Sequence, residues 1–134
     1  MSTALKLLIP YQPVAQGDGV WAIEQELSFE TDYSVIGQLV NLGEIRARTP
    51  NRDDIPRMPC IESYPLPSGV KVQLYEEDGL RVYHEDPYGE PLCWTLGACL
   101  KNLKVLPKAD WKNKAIKAFI DQMPDNTIVV LYPH

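Results

Sequence analysis

The sequence predicts an α+β domain: a mixed sheet of about five strands with about three helices packed mainly on one face. Three observations predict it. An Asp-Gly pair at 78–79 separates two strand-like runs, two segments repeat apolar residues at helical spacing behind a capping aspartate, and residues 127–132 form a continuous apolar run.

Residues 3–9 alternate weakly and end at Pro10, which reads as a first strand. A Gln-Gly-Asp-Gly turn leads into a second strand over 20–27, so the two are expected as a hairpin. Val20, Ala22 and Glu24 share one face of that strand and Trp21, Ile23 and Gln25 the other, a pattern that assigns neither to the core. Thr31 or Asp32 can cap a helix carrying Tyr33, Ile36, Leu39 and Val40 on one stripe, with Gly43 as its left-handed stop. Pro50, Pro56 and Pro59 then bar both a regular helix and a central strand, leaving a long loop over 43–60.

Residues 69–76 and 80–86 flank Asp78-Gly79, read as a type I′ turn. That turn would set Glu76 opposite Arg81, Leu74 opposite Tyr83, Val72 opposite Glu85 and Lys71 opposite Asp86. Thr95 is expected to cap a helix with Leu96, Cys99, Leu100 and Leu103 on its buried face. Asp110 is expected to cap another, with Trp111, Ala115, Ile116, Phe119, Ile120 and Met123 as the core stripe and Lys112, Lys114 and Lys117 opposite. Pro124 ends that helix, and the run over 127–132, apolar on both faces, belongs in the middle of the sheet.

At 134 residues the chain is expected to form one domain over 1–134. Its 45% hydrophobic and 23% charged residues exclude a disordered or fibrous class. No apolar run is long enough to span a bilayer, and the start of the chain reads as a strand rather than a leader. Cys60, Cys93 and Cys99 are odd in number and lack CxxC spacing, which points to a reduced, cytoplasmic protein. A net charge of −5 argues against membrane surfaces and general nucleic-acid binding. Net positive charge is confined to two segments: residues 43–60 carry +1 and residues 101–134 carry +3.

No zinc, calcium or phosphate-loop spacing occurs, so neither a metal nor a cofactor is expected. His84, Glu85 and Asp86 with Glu76, Glu77 and Asp78 read as a solvated hairpin. Cys60 with His84 is the one nucleophile and base pair to consider, since Cys99 falls on a core face and His134 ends the chain. Four of the five arginines, Arg46, Arg48, Arg52 and Arg57, gather in the prolyl loop. Arginine forks suit carboxylates and phosphates. These four are either clamps on Asp53, Asp54 and other internal acids, or a recognition surface flanked by exposed Tyr64 and Tyr88. Lysines 101, 104, 108, 112, 114 and 117 form a second basic segment, read first as a solubilising face and second as a landing surface for an acidic partner or a nucleic-acid backbone.

The ordered set Asp18-Gly-Val-Trp21, Asp32-Tyr33-Ser-Val-Ile-Gly-Gln-Leu39, Arg46, Pro56 and Cys93-Trp94-Thr-Leu96 with Leu100 resembles a group of small proteins of tailed phages and prophages. Thr31 stands where that pattern has arginine, and Ile36-Gly37 where it has Leu-Phe. The resemblance implies a phage or prophage accessory protein in a bacterial cytosol that binds a host factor, and it brings no known reaction. The leading expectation is a non-enzymatic interaction protein that engages a host protein or an anionic ligand through the arginine loop. The alternatives are a small enzyme, by Cys60 and His84 thiol chemistry or by phosphate handling on the loop arginines, and nucleic-acid binding along the lysine helix. A homodimer through an edge strand, with 20–27 as the candidate, is a further option.

Overall fold

The computed structural model describes residues 4–12, 14, 19–40 and 60–134. The loop arginines Arg46, Arg48, Arg52 and Arg57 lie outside the described residues. No described helix is long and apolar enough to cross a membrane.

The fold is α+β, and among the described residues its sheet has seven strands rather than five, in the order β3-β6-β7-β1-β2-β4-β5. The strands are β1 (Leu5–Pro10), β2 (Val20–Phe29), β3 (Tyr64–Pro65), β4 (Lys71–Glu76), β5 (Gly79–Tyr83), β6 (Cys93–Leu96) and β7 (Ile128–Pro133). Three helices are described: α1 (Tyr33–Leu39), α2 (Gly97–Leu100) and α3 (Trp111–Gln122). The expected hairpin of β1 and β2 forms, and β7 lies between β6 and β1 as its two apolar faces required. The sheet is mixed because β2 and β4 run parallel, over Val20–Ala22 against Lys71–Gln73.

Both faces of the central strands are buried. Leu5, Leu7 and Ile9 of β1 and Val129 and Leu131 of β7 join Val35, Ile36, Leu39, Leu100 and Ile120 from the helices in one cluster. Leu8, Val130 and Tyr132 point the other way and meet Trp21, Val72, Leu74 and Leu92 in a second, which the helices do not enter. A hairpin-bearing corner therefore encloses the second cluster, and the sheet curls to do it. Trp21 sits edge-on to Trp94 with ring centroids 6.4 Å apart and turns the start of β2 toward the second cluster, while Phe29 at its end lies in the first.

Several expectations are corrected. Cys93–Leu96 is a strand, not the start of a helix, so Thr95 is no cap: its buried hydroxyl donates to the Glu62 carbonyl at 2.7 Å. With β3, only two residues long, this accounts for the two strands missed. In the β4–β5 hairpin the register differs by two: Val72 faces Tyr83, Leu74 faces Arg81 and Glu76 faces Gly79. Glu77 and Asp78 make the turn, and Gly79 follows it at φ +118°. The left-handed residue thus stands after the turn rather than within it, a placement glycine also serves. Asp86 does not face Lys71; its carboxylate accepts from the Tyr88 and Glu90 amides. The strand expected as an edge, β2, is flanked by β1 along its length and by β4 at its start. His134 is held by reciprocal backbone bonds with Ala4, at 2.7 and 2.8 Å.

Asp32 is the cap of α1, accepting from the Ser34 amide at 3.0 Å. Every residue from Ser34 to Leu39 is buried, so α1 is a core helix rather than one with a single stripe. Its polar member Gln38 is satisfied by donating to the Ser34 and Lys104 carbonyls and accepting from the Lys104 amide.

Candidate functional site

Asp110 caps α3 as expected, accepting from the Lys112 amide at 2.8 Å. The helix is rotated relative to the expected stripe. Asn113 and Ile120 are fully buried, Met123 is buried and Ile116 half-buried, at the i, i+3, i+7, i+10 spacing of one face. The cause is Asn113. Its side-chain oxygen accepts from the Glu30 amide at 2.8 Å and its nitrogen donates to the Glu30 carbonyl at 3.1 Å, closing the backbone where β2 ends. Lys112 reinforces the join with an ion pair to Glu30 at 2.8 Å.

Turning Asn113 inward turns Trp111, Ala115 and Phe119 outward. Trp111 is 71% exposed and Phe119 41% exposed, and with exposed Ala115 and Ala118 they form a second apolar stripe opposite the first. Trp111 and Phe119 are therefore not core residues. Lys112 and Lys114 border this stripe on either side. Lys112 is held by Glu30 and Lys117 by Asp121, whereas Lys114 makes no ion pair among the described residues.

The second candidate is a cavity of about 380 Å³ lined by Gln38, Cys60, Ile61, Glu62, Cys99, Asn102 and Lys104. Its floor is pinned by the Gln38 and Lys104 bonds and by the Ile61 amide on the Gln38 carbonyl at 2.7 Å. Cys60 and Cys99 are both free thiols. Lys104 and Asn102 can take an anionic group at the rim, and Glu62 a donor.

Of the expected site residues, Tyr64 is brought close to this cavity. Its interaction with the Glu62 side chain, with burial, pushes its pKa up. Tyr64 and Tyr88 are half-buried rather than exposed, and Tyr64 packs on Trp94 at 4.9 Å. Cys60 and His84 are not joined. The Cys60 thiol points at the Gly37 carbonyl of α1, at 3.9 Å, while the His84 ring lies 3.0 Å from Glu85. Cys60 adjoins the helix-side cluster through Ile61, and His84 adjoins the other through Tyr83. Among the described residues no group of three or more His, Cys, Asp or Glu converges as metal ligands would.

No protein-family profile, curated protein or solved structure matches this chain.

Proposed function

We propose that this chain is a non-enzymatic interaction protein whose docking surface is the outer face of α3, and that it takes a protein surface that is apolar at its centre and acidic at its rim. One observation carries the reading: a tryptophan, two alanines and a phenylalanine lie together in solvent between lysines, on a helix whose core-facing side is already filled. Exposed aromatic anchors ringed by charge are the usual energetic centre of a protein interface. Arg46, Arg48, Arg52 and Arg57 would add to the attraction for an acidic partner. A phage-derived accessory protein acting on a host factor remains the biological setting that the sequence resemblance implies.

The test is fluorescence anisotropy with a labelled amphipathic helical peptide of leucine and glutamate. Wild type should bind it, and Trp111→Glu and Phe119→Glu should each weaken binding at least tenfold without a change in circular dichroism. Equal binding by wild type and both variants would show that α3 is not the surface. Charge reversal at Arg48 and Arg52 reports separately on the loop.

A second reading is favoured by the same exposure. Aromatic rings interleaved with lysines also suit single-stranded nucleic acid. Oligonucleotide binding would have to collapse between low and moderate salt; salt-insensitive affinity, or none at low salt, removes that reading. It is the weaker of the two, because Lys112 and Lys117 already hold carboxylates.

A further inference from the structure

A second exposed apolar face lies at the far corner of the sheet. Tyr75 is opposite Leu80, and Gln73 sits between Ala22 and Val82, so the side chains of Ala22, Tyr75, Leu80 and Val82 project from one side of β2, β4 and β5. Tyr75 is 81% exposed, and Leu80 and Val82 are 48% exposed. The alternate residues Trp21, Val72 and Leu74 fill the second cluster on the other side. The exposed side is thus continuous with the side that α1 and α3 cover over β1, β7 and the end of β2. At β4 and β5 these ring and aliphatic side chains stand uncovered.

We propose that this corner receives α3 of a second copy of the chain, in a head-to-tail contact. The proposal rests on the reading of α3 as a docking surface and names its partner. Three relationships support it. A sheet face is normally buried by a helix carrying an apolar stripe, and the outer stripe of α3 is one without a sheet. The charges match: the hairpin tip presents exposed Glu76, Glu77 and Asp78, while Lys112 and Lys114 border the stripe on α3. Arg81 pairs with Glu76 and Asp78, leaving Glu77 without an ion pair among the described residues, as Lys114 is. Finally, the stripe points away from its own sheet, because Asn113 and Ile120 hold the opposite face inward. The helix therefore cannot cover its own corner. Two different patches meeting in this way make a heterologous interface, which propagates into rings or filaments rather than stopping at a symmetric dimer.

Sedimentation velocity on the full chain tests this. Wild type should gain mass with concentration across the micromolar range, less so at high salt. Trp111→Glu and Tyr75→Lys should each remain monomeric, because each destroys one of the two patches. Mixed in equal amounts they should form a finite species of twice the monomer mass, since each supplies the patch the other lacks. A wild type that stays monomeric throughout, a single variant that associates like wild type, or a mixture that stays monomeric would each overturn the proposal. A monomeric wild type that still binds the leucine and glutamate peptide overturns this inference alone; failure of both assays overturns the reading of α3 as well.

Discussion

Gln38 and Lys104 pair as two strands would: the Gln38 side chain donates to the Lys104 carbonyl at 2.8 Å and accepts from the Lys104 amide at 2.9 Å. Gln38 is 2% exposed, and the two bonds hold the floor of the cavity that it lines together with Lys104. Gln38→Ala should therefore cost about 1–3 kcal/mol in urea unfolding, as expected for leaving part-buried backbone groups unpaired. A smaller loss than about 1 kcal/mol would mean that the segment around Lys104 relaxes to reach solvent.

Asn113 makes the same arrangement with Glu30. Asn113→Leu, which improves the apolar count of the buried face, should nonetheless destabilise by about 1–3 kcal/mol, because the Glu30 amide and carbonyl lose both partners. Thermal melting of this variant against wild type checks the sign.

Exposure separates two residues of α3 that a helical pattern alone would group together. Trp111→Ala should change unfolding free energy by no more than about 0.5 kcal/mol, the range of surface substitutions. Ile120→Ala should cost about 2–5 kcal/mol. Iodide should quench Trp111 emission ahead of Trp21, which is buried.

Gly97 is required for space rather than for backbone conformation. A Cβ there would sit 2.5 Å from the Pro124 carbonyl oxygen and 3.1 Å from the Met123 side chain. The close approach lets the Gly97 amide reach the Thr127 carbonyl at 2.8 Å and the Ala98 amide reach the Asp125 carbonyl at 3.0 Å, which ties α2 to the turn before β7. Gly97→Ala should cost about 1–3 kcal/mol by overpacking, measured by denaturant titration.

Tyr83 donates its hydroxyl to Glu76 at 2.5 Å, and this bond, with burial and the carboxylate charge, pushes its pKa up to about 12. A folded-state value above the ordinary tyrosine value of about 10 means that the contribution to stability is full below that pH and is lost as pH rises through about 12. Ultraviolet difference titration should show a phenol that ionises only near pH 12, and Glu76→Gln should bring that one back toward the ordinary range. An unchanged curve in that variant would locate the cause elsewhere.

Local chemistry was readable wherever short-range rules act alone. Asp32 and Asp110 cap the helices assigned to them, and the run over 127–132 sits centrally because no other position buries both of its faces. The strand at Cys93–Leu96 was not readable, since four residues with apolar members satisfy a strand and a helix start equally, and pairing with β7 decides between them. The hairpin register failed for a related reason: Asp78-Gly79 permits glycine inside the turn or just after it, and the choice moves every pair by two while keeping each side chain on its face.

By itself the sequence determined the α+β class, most of the main elements, the Asp32 and Asp110 caps and the segregation of charge, because each follows from neighbours within a few positions. Tertiary structure alone decided which side of α3 faces inward. Helical spacing offered one stripe of Trp111, Ala115, Ile116, Phe119, Ile120 and Met123 to the core, but the backbone at Glu30 needed a carboxamide, and satisfying it with Asn113 kept Ile116, Ile120 and Met123 inward and turned Trp111, Ala115 and Phe119 to solvent. Two polar backbone groups at the end of β2, paired through the fully buried Asn113, outweighed the apolar pattern, and the candidate docking surface is the consequence.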